Sequence, residues 1–212
     1  MEPSPPAAVK GKRNRLHDAV EFGTYSDVSK ALSPKLINQP SDKGSTPLHL
    51  ATSRNRWWAA KALLHRKANP DLQDSSGDTP LHIASRNNNF LILRMLISAK
   101  ADISLINKRG ETAFHVSVKM GHEGIFRSFL ELRKKDVDFN SRDGSGRTPL
   151  HLAAEAGSAD TVKLLIDAGA EISALTPTGL TPLQVAVEHK RDVLILIHLR
   201  FKVALIVSDA CF

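Results

Sequence analysis

Nine histidines in a chain of 212 residues invite a metal or catalytic reading, and four of them recur in one setting. Thr46-Pro47-Leu48-His49 is followed by Thr79-Pro80-Leu81-His82, Thr112-Ala113-Phe114-His115 and Thr148-Pro149-Leu150-His151. Four imidazoles could in principle bind zinc. Side chains at equivalent places on stacked helices, however, lie about 8–10 Å apart, whereas zinc ligands converge to about 2 Å from one ion. A ladder at that spacing cannot chelate. His122-Glu123 is followed by Gly124-Ile125-Phe126, so the second histidine of a zinc-protease helix is missing. Gly144-Ser145-Gly146 lacks the remaining residues of a dinucleotide or phosphate loop and reads better as a turn. Cys211, the single cysteine, sits beside the last residue with no base held against it. The sequence offers no catalytic residue, no cofactor site and no metal site.

Composition bounds the remaining classes. A hydrophobic content of 42% supports a packed core, and a net charge of +7 favours acidic partners without specifying a fold. One thiol cannot form an internal disulfide, which points to a reducing compartment, the cytoplasm or the nucleus. The opening Met1-Glu2-Pro3-Ser4-Pro5-Pro6 lacks the apolar run of a signal peptide. The most apolar stretch, Val193 to Val207, is interrupted by His198, Arg200 and Lys202 and is shorter than the roughly 18–20 residues that span a bilayer. No membrane insertion is expected.

What positions the histidines is a repeat. A fifth copy, Thr181-Pro182-Leu183-Gln184, extends the series, and the five openings are separated by 33, 33, 36 and 33 residues. Each residue type has a local reason. Threonine is a good N-cap, because its hydroxyl accepts from an otherwise orphan backbone N–H. Proline suits the next position, where its fixed φ helps and its missing N–H costs nothing. A short helix with small alanines follows, as in Leu150-His151-Leu152-Ala153-Ala154. Gly23, Asn55, Asn88, Gly121 and Gly157, types that tolerate left-handed backbone, mark the next turn. A second helix then carries apolar residues at helical spacing, as in Thr161-Val162-Lys163-Leu164-Leu165-Ile166. A pair of helices this short cannot bury its apolar faces alone, so the units must stack.

These residues resemble the ankyrin repeat over about nine tenths of the chain, and the unit from Asp143 to Ile172 follows the family pattern most closely. The resemblance implies an all-α ankyrin-repeat α-solenoid with β-turn fingers and about six helix-pair units. It also implies that the recurrent histidine is structural and bonds backbone between neighbouring fingers. The expected organisation is a disordered, basic, Pro-rich leader over 1–13, an array over 14–199 and an apolar tail or capping helix over 200–212. Units begin near 14, 41, 74, 107, 143 and 176, and the first lacks the Thr-Pro opening, as a terminal cap would. Three extra residues fall around Arg133-Lys134-Lys135, where they extend a helix end or a loop. In the last unit Gln184 replaces the histidine and Lys190 the turn glycine. Beyond Leu199 either a final helix folds over the last repeat or the natural chain continues.

Partners of this family usually touch the finger tips and the exposed ends of the first helices. Carried over by position, the contact residues are Lys43, Arg54, Arg86, Asn87, Lys108, Arg109, Lys119 and Arg147. They outline a basic groove for a protein with an acidic segment. Trp57-Trp58 and Phe90-Leu91 open two successive second helices, where the fourth unit has Ala159-Asp160. They either fill space left by Ala59-Ala60 or form an exposed apolar contact. Asn140 occupies the place of the asparagine that ankyrin hydroxylases modify. The expected function is non-catalytic protein recognition, as adaptor, scaffold or inhibitor. A regulatory segment of a larger enzyme or channel is the alternative. Nucleic-acid binding ranks behind both, because the groove positions carry no aromatic for stacking.

Overall fold

The computed structural model describes residues 13–133 and 135–191. The expected leader, Lys134, and everything from Asp192 onward, including the tail or cap, lie outside the described residues. Eleven helices are described and pair unit by unit. The inner row is α1 (Arg15–Phe22), α3 (Pro47–Ser53), α5 (Pro80–Arg86), α7 (Ala113–Lys119), α9 (Pro149–Ala156) and α11 (Pro182–Glu188). The outer row is α2 (Tyr25–Ala31), α4 (Trp57–His65), α6 (Phe90–Ser98), α8 (Glu123–Arg133) and α10 (Ala159–Ala168). From α1 to α9, each inner helix packs on the next inner helix and on the outer helix of its own unit. The result is an all-α solenoid.

Small residues set the inner spacing. Ala51, Ala84, Ala153 and Ala186 occupy one register position and are fully buried, with Ser117 in the same place in α7. Larger side chains between the rows, such as Leu48, Leu63, Leu93, Leu150 and Leu165, make the continuous core. The unit with the three extra residues solves its packing differently. Phe114 stands where its neighbours have leucine, and its ring lies 5.4, 5.7 and 5.8 Å from those of Phe126, Phe129 and Phe139. Its outer helix α8 runs to 11 residues against nine in α4 and α6, so the insertion lengthens a helix end and leaves the stack intact.

Between units the chain forms fingers. In each, the first residue donates to the carbonyl four residues on (Asp74 to Asp78, 2.9 Å) and a glycine closes the turn with positive φ (Gly77, +74°). The glycine is required twice over. A Cβ on Gly77 would stand 2.8 Å from the backbone nitrogen of Lys108 in the next finger. Successive fingers are tied by Ser75 N–H to Lys43 O, Lys108 N–H to Ser76 O and Gly144 N–H to Arg109 O, at 3.0, 3.0 and 2.9 Å. At the last junction Pro177 faces Gly146 and has no N–H to give. There the Arg142 guanidinium bridges the fingers instead, donating to the carbonyls of Gly146 and Leu175 at 2.7 Å each.

The inter-helix turn needs one correction. Asn55, Asn88, Gly121, Gly157 and Lys190 are left-handed, with φ between +51° and +83°. Gly23 is not; its φ is −87°. Its glycine is explained by space, since a Cβ there would lie 2.6 Å from the Ala19 carbonyl oxygen.

Candidate functional site

The histidine ladder is built by the caps. In α3 the Thr46 N–H donates to His49 Nδ1 at 3.2 Å, and the Thr46 hydroxyl meets the same nitrogen at 2.8 Å. Nδ1 is therefore an acceptor, so the proton sits on Nε2, which donates to the Asp78 carbonyl 3.0 Å away at the next finger. His82 and His151 repeat this, as does His17 with the Asn14 N–H in place of the threonine, reaching Glu111, Leu180 and Ser45 at 2.9, 3.1 and 3.0 Å. His115 reaches Ser141 at 3.0 Å, upstream of the matching finger residue, in the unit that carries the insertion. With both nitrogens engaged, none of these rings has a lone pair left for a metal. Burial pushes all five below the ordinary histidine value, and the hydrogen bond to a carbonyl only partly opposes it.

Most basic residues of the fingers have partners within the array. Arg86 holds Asp78 with two bonds of 2.7 and 2.9 Å, and Asn107 Nδ2 links Asp78 at 2.9 Å to Glu111 at 3.1 Å. Glu111 also accepts from Arg109 and Lys119, at 2.8 Å each. Arg147 spans Asp143 at 3.1 Å and Glu155 at 2.6 Å, and Arg54 pairs with Glu21, which Arg13 also holds. The carboxylates are the buried members: Asp78 is 5% exposed and Glu111 2%. Burial alone would raise the Glu111 carboxyl, but hydrogen bonds from Lys119, Arg109 and Asn107 outweigh it and hold it at about 2. Asp78 is likewise held low by Arg86 and Asn107 against the effect of burial.

This changes what each expected contact residue can do. Arg86, Arg109, Lys119 and Arg147 are anchored by buried carboxylates, whereas Lys43 and Lys108 are exposed and form no ion pair among the described residues. Asn87 is exposed at the end of α5. Lys108, Arg109, Lys119 and Arg147 do come together, around a cleft of about 320 Å³ shared with Glu111 and Asp143. Reversing charge at Arg86 or Lys119 would set like charges against a buried carboxylate and disturb the fold, so Lys43 and Lys108 are the sound positions to probe. The pairs had a sequence signal: Asp78/Arg86, Glu111/Lys119 and Arg147/Glu155 are each eight residues apart at one repeat position, with signs exchanged in the last.

The two tryptophans separate. Trp57 is 48% exposed, with Phe90 at 42% and Leu91 at 55%. Trp58 packs against the core, takes the Tyr25 ring edge-on at 6.3 Å and lies under the Arg56 guanidinium at 5.6 Å. Acrylamide is therefore expected to quench two emitting populations to different extents, and Trp57→Phe should remove the accessible one. Equal quenching of both indoles would contradict this arrangement. Asn140 is exposed, and its Oδ1 accepts from the Glu171 N–H at 2.8 Å, tying one unit to the next.

The fold and its histidine-tied fingers define a helical repeat array, and comparison with known proteins agrees. The family described as "Ankyrin repeats (3 copies)" matches residues 16–107, 57–143, 91–176 and 130–204. The chain belongs to the ankyrin-repeat family, whose repeats are protein-interaction modules. It is similar to Delta-latroinsectotoxin-Lt1a of Latrodectus tredecimguttatus, 48% identical over 56 residues, 26% of this chain and 4% of the toxin. It is also similar to the BTB/POZ domain and ankyrin repeat-containing protein NBCL of Lotus japonicus, 43% identical over 29% of this chain and 12% of that protein. Serine/threonine-protein kinase 12 of Arabidopsis thaliana is 38% identical over 34% of this chain and 16% of the kinase. The aligned segments thus span only a small part of each relative. Among the described residues, no helix is long and apolar enough to cross a membrane.

Proposed function

We propose that the array is a non-catalytic protein-recognition module, an adaptor, scaffold or inhibitor, whose finger-tip and concave face takes a partner with an acidic segment. The observation that carries this is the finger row itself. Arg54, Arg86, Arg109, Lys119 and Arg147 are fixed in place by Glu21, Asp78, Glu111, Asp143 and Glu155, while Lys43 and Lys108 remain unpaired among the described residues. Pre-oriented cations lose little conformational freedom on binding, and unpaired lysines at the tips steer an acidic partner. Nucleic acid ranks behind, because the cleft between Lys108 and Arg147 is lined by no aromatic side chain. The lone Cys211 supports a cytoplasmic or nuclear setting, and exposed Asn140 remains the position for hydroxylation.

The test is affinity capture of partners with the wild-type chain and with Lys43→Glu/Lys108→Glu, both correctly folded by circular dichroism. Specific captured proteins should be acidic and should fall by about tenfold or more with the double reversal, steeply with added salt. Capture that ignores both the reversal and salt would remove the acidic-partner reading. A second reading, a regulatory segment of a larger enzyme or channel, is favoured by the kinase and toxin relatives, of which the aligned region is a small fraction.

A further inference from the structure

The outer row carries a feature that the finger face does not use. Three successive outer helices begin with an exposed aromatic: Tyr25 in α2, Trp57 in α4 and Phe90 in α6, at 63%, 48% and 42% exposure. The series stops at α8 and α10, which begin with Glu123 and Ala159. Beyond these aromatics a groove of about 450 Å³ runs between α4 and α6. Leu64 and Met95 are half-buried in its floor, and Leu91 stands exposed on its wall. Its polar lining comes from Lys61, His65, Arg94 and Ser98.

Charge separates this groove from the rest of the outer surface. Neither α4 nor α6 contains an acidic residue, whereas α8 has Glu123 and Glu131 and α10 has Asp160 and Asp167. Lys61 forms no ion pair among the described residues. Arg94 lies over the Phe90 ring at 5.5 Å and meets Glu131 at 3.4 Å, an exposed pair that contributes little. The groove therefore has an apolar floor between cationic edges. A bilayer surface, being flat, would meet the edges and leave Leu64 and Met95 uncovered. Side chains at i, i+3, i+4 and i+7 of a helix can reach such a floor.

We infer that the α4–α6 groove docks an amphipathic helix of another protein, with its apolar face on Leu64, Leu91 and Met95 and its carboxylates toward Lys61 and Arg94. The two nine-residue helices give a groove about 13 Å long, enough for two to three turns of the occupant. Trp57 and Phe90 grip one end. This rests on the protein-recognition reading above but uses the outer helices and not the fingers.

Photo-crosslinking on the full chain in its own cells tests it, with benzoylphenylalanine replacing Leu91 in one variant and the finger-tip residue Ser145 in another. Adducts at position 91 should map by mass spectrometry to acidic amphipathic helical segments. Trp57→Ser with Lys61→Glu, both exposed positions, should cut the yield at 91 by about tenfold or more and leave that at 145 unchanged. Adducts to lipid, to a second copy of this chain or to segments without acidic residues would overturn the inference, as would a yield unaffected by the double variant. Adducts at 145 with none at 91 would overturn it while leaving protein recognition standing. Adducts at neither position would overturn both.

Discussion

Lowering the pH from 7.5 to 5.5 is expected to destabilise the array, with most of the loss below pH 6.5. Four histidines sit as neutral rings between a threonine cap and the next finger, and His17 does so behind Asn14, each with its pKa depressed by burial. The unfolded chain binds a proton at each near pH 6.5, and the folded chain does so only at lower pH. The unfolded state thus holds more protons in this window, and stability rises with pH. Each histidine contributes stability that is complete above about pH 6.5 and lost as pH falls toward its folded value. The ceiling is about 1.4 kcal/mol per pH unit per ring. Glu111, held at about 2, adds a separate loss that begins only near the ordinary carboxylate range.

The last unit provides the control. Gln184 Oε1 accepts from the Thr181 N–H at 2.8 Å and takes the threonine hydroxyl at 3.1 Å, reproducing the cap without a titrating group. His82→Gln should therefore fold and weaken the pH dependence below pH 6.5 by the share that His82 carries. Thermal melts of both proteins at half-unit intervals of pH measure it. A melting temperature flat between pH 7.5 and 5.5 would show that the rings are not held neutral.

Arg86→Ala should cost about 2–4 kcal/mol, lowering the melting temperature by roughly 4–16 °C. The Asp78 side chain is 8% exposed and that of Arg86 28%, so deleting the guanidinium strands a nearly buried carboxylate while water partly replaces the lost partner. Asn107 would remain, but one amide donor cannot replace two charged ones. Asp78→Asn in the same chain should recover part of the loss, because no stranded charge is then left. Lys108→Ala, at an exposed position outside any described ion pair, should stay within about 0.5 kcal/mol of wild type. Equal effects of Arg86→Ala and Lys108→Ala would mean that the Asp78 pair contributes nothing to stability.

These two results differ in how much of their basis could be read in advance. The threonine cap was legible, because its donor lies within one helical turn, whereas the histidine's bond to the next finger followed from the resemblance to the ankyrin repeat. The Asp78–Arg86 pair was missed, although its eight-residue spacing recurs in Glu111/Lys119 and, with signs exchanged, in Arg147/Glu155. Read as a surface, Arg86 is a cation available to a partner. Folded, it closes a buried carboxylate at the base of its own finger. The same limit applied to Trp57 and Trp58, adjacent on one helix and 100° apart around its axis, which sends one to solvent and one onto Tyr25.

The imidazoles and their neighbours thus divide the two kinds of information cleanly. Period, threonine caps and all but one of the turn residues follow from the sequence alone, because each depends on residues within one turn or on an identical neighbour one repeat away, and the structural use of histidine follows from the family resemblance. Which cations are free, which tryptophan is exposed, and that Tyr25, Trp57 and Phe90 form one row are tertiary facts. They depend on how far burial and a carboxylate from another part of the unit have already claimed each side chain. Residue type and spacing do not record that competition; the stacked array decides it.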